Sequence, residues 1–468
     1  MTRYRIYILF FALFSSIQVF AQERSATMYN MSMLPGRSFI NPAFQPEAKF
    51  FFGTPGFSQI NTEFVNSGFS FNDLFEPTDT GYILTPDRMI DNMPSINQLG
   101  VNMHLRPFAF GFRFLKNGYF TFDISPRVGV NYYYPRDLFG FLWKGNAHED
   151  YLGERIGFDQ MGIDVLVANE FSIGYSHQLF DALTVGFRGK LLFGIANIST
   201  TSSAVGLTTN ADNFHLHIDA DIEAKMSVPF VLYDSLFDGK DPLLNDDITL
   251  DDGLDYLKNN RGYAIDLGGT WMIRDRFLLS AAVNDIGYID WGGNPSVLRA
   301  QGEFAFEGFD FTPLVVDDGD TEMDDLIEDL VDSLRAAFDF NHTSSAYRQW
   351  LTPTVHLGFG MKTYKEDMAA ILLRSRFYQG VWYPKLTASY NMRVGRWLNL
   401  AASYGIERGN FTNLGIGFAI KAGPMQFHLI SDNALAFFEP FSAKSVSVVA
   451  GLNWVFRTGS RKESTPSI

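Results

Sequence analysis

The chain has 468 residues and no cysteine, so neither a disulfide framework nor a lipid-modified N-terminal cysteine is possible. It holds 46 Phe, 20 Tyr and 7 Trp at a mean hydropathy of −0.03. This much aromatic surface at neutral hydropathy suits a barrel whose outside meets lipid and whose inside meets water, and not an ordinary soluble domain. Its net charge of −15, from 37 basic and 52 acidic residues, leaves no basic face and argues against nucleic acid as a partner.

In chain order, Arg3 and Arg5 precede an apolar stretch from Ile6 to Phe14, and Val19-Phe20-Ala21 offers a cleavage site before Gln22. The pattern predicts a secretory signal peptide over 1–21. No run of eighteen apolar residues follows, so no transmembrane helix is expected. Residues 22–56 lack a strand period and hold Asn41-Pro42-Ala43-Phe44-Gln45-Pro46, where proline suits an extended path without ladder bonds. Two readings stand for this segment: a periplasmic lead-in under the barrel, or a plug or gate folded into the lumen with Asn41, Pro42, Ala43, Phe44 and Pro46 at its centre.

The barrel itself is expected over 57–457, followed by a polar tail at 458–468. Strand candidates begin at Phe57 to Phe69, and Thr85-Pro86-Asp87 announces a helical turn. Phe108, Phe110, Phe112 and Phe114 alternate up to Lys116-Asn117-Gly118, a hairpin signal before Phe120, Phe122 and Ile124. Phe171, Ile173 and Tyr175 lead to a tight turn at Phe180-Asp181, and Leu183, Val185 and Phe187 return. Further candidates are 214–219, 263–272, 277–284, 297–309, 351–361 and 368–377. The region from Tyr383 to Arg457 is the densest, with Leu398/Leu400/Ala402/Tyr404, Leu414/Ile416/Phe418/Ile420 and Val448/Ala450/Leu452/Trp454/Phe456 on alternate positions.

The count is sixteen, with fourteen as the alternative, in one all-β transmembrane antiparallel barrel with small helices in its loops. An even count puts both ends on the periplasmic side. Most short turns then fall there and most long segments outside. One region disobeys: 229–261 becomes a long periplasmic connection and Arg274-Asp275 a tight outer turn. The insertion 310–349 is expected to hold an amphipathic helix near 323–338. Trp454 and Phe456 are expected to be girdle aromatics on the last strand, placed where assembly machinery reads its clients.

Chemistry is sparse. His215 and His217 share a strand face, better read as polar lumen residues than as metal ligands. Asp246-Asp247 and Asp317-Asp318-Gly319-Asp320 lack the order of a calcium loop. No Gly-x-Ser-x-Gly element is present and His428 has no evident partner, so no enzyme, metal or cofactor is expected. Arg113, Arg188, Lys190, Asp219, Asp221 and Glu223 are compatible with a polar lumen.

The Asn41-Pro42-Ala43 run resembles the plug motif of FadL-type fatty-acid transporters and of barrels linked to type IX secretion. Together with Lys144-Gly145-Asn146-Ala147, Asn284-Asp285-Ile286-Gly287, Trp291, Ser431-Asp432-Asn433 and Gly451-Leu452-Asn453-Trp454, it is similar to a family of Gram-negative outer-membrane barrels known as a domain of unknown function. The resemblance implies a FadL-like barrel architecture and no reaction. The expectation is therefore a transport barrel for a hydrophobic or small solute, partnered by the lipid bilayer and the assembly machinery. A platform for a secreted or surface partner is the alternative.

Overall fold

A computed structural model describes residues 25–229, 250–308, 333, 336–363, 366–378, 381–407 and 410–456. The segments 1–21 and 458–468, the acidic runs at 246–247 and 317–320 and most of the helix expected over 323–338 lie outside these residues.

The wall is a closed antiparallel ring of fourteen strands. The first, β1, is made of Phe50–Gly53 and Gln59–Asn66. Between them Pro55 interrupts the ladder and Gly56, at φ 84°, bends it. Strand β2 is likewise Ile96–Arg106 and Phe108–Phe114, broken at Pro107. Then follow β3 (Gly118–Pro135), β4 (Gly162–Phe180), β5 (Leu183–Thr209), β6 (Asn260–Ile273) and β7 (Phe277–Trp291). The ring continues with β8 (Thr354–Lys362), β9 (Met368–Tyr378), β10 (Val381–Val394) and β11 (Leu398–Glu407). It ends with β12 (Asn410–Ala422), β13 (Met425–Ser431) and β14 (Ser445–Phe456). Each strand pairs with the next, and β14 closes on β1 through Phe456↔Phe50, Trp454↔Phe52 and Ala450↔Ile60.

Fourteen is the alternative count, and the two surplus candidates are real strands in the wrong place. Leu216–Ser227 pairs with the upper part of β5 and with Pro295–Phe306, which in turn pairs with Phe338–Thr343. With Arg155–Gly157 on the other edge of β5, these strands make a sheet that rises beyond the ring. Alternation alone reports a half-buried strand, not which sheet it joins. Removing the two strands from the wall also cures the disobedient region. The turn at Arg274-Asp275-Arg276, with φ of 52° and 53° at its first two residues, is a three-residue hairpin on the same rim as those at 115–117, 181–182, 395–397 and 423–424. The connection 229–261 moves to the long-loop rim, which then holds every long connection, with tight joints also after Tyr378 and Glu407. The ring also begins earlier than expected, at Phe50, because a four-residue strand of three phenylalanines and a glycine shows too little alternation to be noticed.

Side chains sort by face as the pleat requires. On β11, Asn399, Ala401 and Ser403 are buried inside while Tyr404 and Ile406 face out. On β4, Ala168, Glu170, Ser172 and Ser176 point inward, and Phe171 and Ile173 outward. The outer face of β14, β1, β2 and β3 near the short-turn rim is almost continuous aromatic surface, with Phe52 stacked on Trp454 and Phe110 on Phe112. The inner face is built mostly of small and polar side chains with an apolar band at Leu278, Leu372, Ile430 and Val449, leaving the ring to be filled by something else.

Candidate functional site: the occupied lumen

What fills it is the N-terminal segment. Between Ser25 and Phe44 every residue is buried except Ser32 and Arg37, which are half-buried. Two short 3-10 turns, Met28–Asn30 and Pro35–Phe39, pair part of its backbone locally. The wall pairs more: Gln426 Nε2 donates to the Met33 carbonyl at 3.0 Å. Met28, Tyr29, Met31, Leu34, Ile40 and Phe44 pack against inward-facing Leu278, Leu372, Ala401, Ala419, Ile430 and Val449. The hydrophobic core thus lies along the axis of the ring.

Three clasps hold the segment along its length. Near the long-loop rim Asp432 accepts bonds from Ser25 Oγ (2.7 Å), the Ala26 amide (2.8 Å) and the Thr27 amide (3.0 Å). Burial alone raises this carboxyl, but the charge of Lys385 and the bonds from Thr27 and Ser25 outweigh it and hold it below the usual aspartate range. At mid-height Asn41 Nδ2 donates to Tyr29 Oη (3.1 Å) and to the Ala281 carbonyl (3.3 Å), while its Oδ1 accepts from the Ala43 amide (3.0 Å). Tyr29 also donates to Ser280 and stacks on His356 at 5.8 Å. At the short-turn rim Gln45 Nε2 donates to the Asn117 carbonyl (2.8 Å), and Arg113 donates to Gln45 Oε1 and to the Pro46 carbonyl, both at 3.1 Å. Glu47 pairs with Arg393 just before the chain enters β1.

The wall is shaped to the segment. A Cβ on Gly186 would stand 2.4 Å from the Pro42 backbone, and one on Gly268 2.1 Å from Asn41 Oδ1. Neither distance is compatible with a side chain. Arg37 lies over the Phe44 ring at 3.9 Å, and burial lowers its guanidinium to about 10, so it stays charged near neutrality.

Beside the segment runs a buried charge network. Asp123 pairs with Arg106 (3.3 Å) and closely with Arg188, which also reaches Glu170 (3.4 Å) and Asp266 (3.7 Å). Lys190 pairs with Asp266 (2.8 Å) and Asp285 (2.6 Å), and Asp285 with Arg127 (3.3 Å). Asp285 reaches inward because β7 bulges there: Ile265↔Ile286 is followed by Leu267↔Val283, and Asp285 has φ 61°. Four cations meet four anions, which is how ions this deep are kept. Arg106 and Arg188 also lie over the Phe39 ring, at 4.4 and 5.1 Å, tying this network to the segment.

Toward the long-loop rim the segment stops and a cavity of about 310 Å³ opens, lined by β3, β4, β5 and the turn-back strand Tyr347–Trp350. Trp291, the cross-strand partner of the lining residue Tyr347, is fully buried against Gly194, where a Cβ would stand 2.5 Å from the indole ring.

The expected site residues divide cleanly by place. Asn41, Pro42, Ala43, Phe44 and Pro46 all lie inside the ring and are buried. Trp454 and Phe456 lie on the outer face at the short-turn rim, with Trp454 Nε1 donating to Thr54 Oγ1 at 3.2 Å. Arg113, Arg188 and Lys190 are lumen residues as expected. Asp219, Asp221 and Glu223 are not, because Leu216–Ser227 belongs to the projecting sheet, where Asp219 pairs with Arg155 and Asp221 with Arg299. His215 and His217 move with them, and His217 stands 3.7 Å from Glu303 at the surface. Among the described residues no group of three or more His, Asp or Glu is placed to hold a metal. Sequence reasoning missed Asp432, Asp285 and the glycines 186 and 268. The first two sit within stretches already singled out for resemblance; the glycines carried no signal without a partner.

A closed antiparallel ring with an apolar outer belt, a largely polar inner face, short turns alone on one rim and every long loop on the other is an outer-membrane-type β-barrel. The chain belongs to the family of unknown function DUF5723, whose model matches residues 42–432. No curated protein matches it. Among solved structures it is similar to the toluene transporter TodX of Pseudomonas putida at 10% identity, TM-score 0.39, covering 93% of this chain and 98% of that one. It is also similar to a FadL homologue of Pseudomonas aeruginosa at 9% identity, TM-score 0.39, with 94% and 100% covered. A third is the translocator domain of the autotransporter NalP from Neisseria meningitidis, at 7% identity, TM-score 0.30, with 87% and 89% covered. The barrel assignment itself rests on the strand pairing.

Proposed function

We propose that the protein is an exported outer-membrane barrel that passes a small solute through its lumen, with residues 25–46 as the plug that gates it. The observation that carries this is how the segment is held: it packs on inward-facing apolar side chains of the wall and is tied to it by side-chain clasps, with no ladder pairing between them among the described residues. Ladder bonds would make the segment part of the wall; side-chain clasps let it leave. Trp454 and Phe456 serve on this reading as aromatic anchors at the periplasmic interface. The test is single-channel conductance in a planar bilayer for a variant lacking residues 35–46. Conductance rises if the segment obstructs the path, and an unchanged trace with a folded barrel sinks the gate.

A second reading has its own observation. The projecting sheet ends on Phe338–Thr343, which pairs on one side only among the described residues and is exposed from Asp339 to Thr343. Such an edge accepts a partner strand. As a platform for a surface partner, the protein loses that partner on Phe340→Pro, since proline removes a donor from the edge, while conductance is unaltered.

A further inference from the structure

We propose that the outer wall of the barrel binds an anionic phospholipid, with an acyl chain in a groove across β6 to β8 and the headgroup on the hairpin at its end. The groove holds about 480 Å³ and opens on the lipid-facing side. It is built by the strand register. Val185, Gly269, Ala281 and Leu357 are consecutive cross-strand partners from β5 to β8, and one row nearer the short-turn rim stand Trp271, Leu279 and Phe359. Val185, Leu357, Trp271, Leu279 and Phe359 are all exposed, which puts both rows on the outer face. Gly269 and Ala281 lie side by side among these large neighbours, and a Cβ on Gly269 would meet nothing within 4 Å. Small residues let an apolar chain approach the backbone closely.

The hairpin after β6 supplies the headgroup end. Gly269 stands about 17 Å of strand from Arg274, which a tilt of ~40° shortens to about 13 Å along the membrane normal. That lies within the roughly 15 Å depth of one leaflet's hydrocarbon. Arg274 and Arg276 flank Asp275 at the tip, Lys362 ends β8 with its amide bonded to the Arg276 carbonyl at 2.8 Å, and Asp181 sits in the hairpin before β5. None of these five charges is in an ion pair among the described residues. The acids of the next hairpin are taken by Arg393: Glu366 pairs with its guanidinium at 2.8 Å and Asp367 accepts from its amide at 2.8 Å. On the projecting sheet, by contrast, Arg155 and Arg299 are each held by an aspartate. Three cations against two acids leave one positive charge over, which a singly anionic lipid neutralises and a zwitterionic one does not. Guanidinium groups suit phosphate oxygens in particular. Arg276 lies 5.7 Å from the Phe277 ring, which stacks on Phe359 at 6.0 Å, so side chains join the hairpin to the groove wall. Trp271 stands between them, exposed and with no hydrogen-bond partner for its indole N–H among the described residues, as an interfacial donor. An acidic protein would answer the cations and leave the groove unfilled; one phospholipid answers both.

The site rests on the barrel lying in a membrane and not on the plug as a gate. The experiment titrates the full chain in detergent micelles with phosphatidylglycerol carrying brominated acyl chains, and separately with brominated phosphatidylcholine, and reads the quenching of tryptophan fluorescence. Saturable quenching is expected, at least about tenfold tighter for phosphatidylglycerol. Arg274→Gln combined with Arg276→Gln brings that preference below about twofold, and Gly269→Leu, which fills the groove, weakens phosphatidylglycerol at least about fivefold. Lys116→Gln, which removes an exposed cation from the hairpin between β2 and β3, changes neither. Ala281→Leu replaces Gly269→Leu should that variant lose its β-sheet circular dichroism. The proposal is overturned if the two lipids quench alike, if the preference survives the double substitution, if filling the groove leaves binding intact, or if Lys116→Gln removes the preference equally. It is overturned too if glycerol phosphate competes as well as the whole lipid, which identifies a site for free phosphate. Quenching by neither lipid removes the membrane barrel along with the site, whereas quenching without preference removes the site alone. Deleting residues 35–46 tests the gate and leaves this binding unchanged.

Discussion

Asp432 shows how much one side chain carries here. It satisfies two backbone amides and a hydroxyl of a segment about 400 positions earlier in the chain. Because it ionises below its ordinary 3.8, the stabilisation it gives is complete above that value and is lost as pH falls through the lower folded value. Protection of the Ala26 and Thr27 amides from hydrogen exchange, taken relative to the intrinsic rate at each pH, should therefore fall on acidification below about pH 4, and Asp432→Asn should show little protection at neutral pH and little change in it with pH. A wild-type profile without an acid limb argues against the clasp. Gly186 is the complementary case, since the wall yields space that only glycine leaves. Gly186→Val should cost about 1–3 kcal/mol of overpacking if the segment stays. If the segment is expelled instead, residues 35–46 become sensitive to protease while the wall remains resistant.

Among the elements, β7 does the most. Its bulge turns Asp285 into the lumen, and its upper end carries Trp291 and pairs with Tyr347–Trp350. The network this strand completes is balanced, so removing one member leaves buried charge behind. Arg188→Ala, which takes one of four cations from a network that keeps its four buried acids, should lower the stability of the folded barrel by about 3–5 kcal/mol, read by denaturant unfolding in detergent micelles. Reversal of the double variant Arg188→Met with Asp123→Leu toward wild-type stability would identify desolvated charge as the cause. The sequence showed β7 only as a hydrophobic alternation. Its bulge was invisible, because Asn284-Asp285 reads as a turn signal until Asp266 is known to lie opposite. Strands β8 to β14 were legible almost residue by residue, since lipid imposes apolar side chains on every second position. Leu216–Ser227 and Pro295–Phe306 alternate just as well, and only their partners say that they stand above the membrane.

For the whole molecule, parity is the strongest constraint. With fourteen strands every long loop falls on one rim and the other carries short turns alone, and the chain's lack of cysteine makes that directly testable. A single cysteine at Asp212, in the exposed tip before Leu216, should react with a membrane-impermeant maleimide on intact cells, and one at Asp275 should react only after the outer membrane is opened. Equal labelling at both positions would refute the orientation. The N-terminal segment was legible as unusual, through its prolines and missing period, but not as resident in the lumen. Its partners are spread over strands throughout the ring, and no local pattern records them.

That residence has a consequence for how the molecule is assembled. The segment is synthesised first, yet Ser403, Gln426 and Asp432, which hold it, are synthesised last, and the seam between β1 and β14 closes only when Phe456 meets Phe50. Contacts so distant in sequence form late in folding. A ring already sealed offers a chain of more than twenty residues only its narrow ends for entry. The order of events is thereby restricted: the leading segment is captured while the seam is open, and the barrel closes around its own beginning.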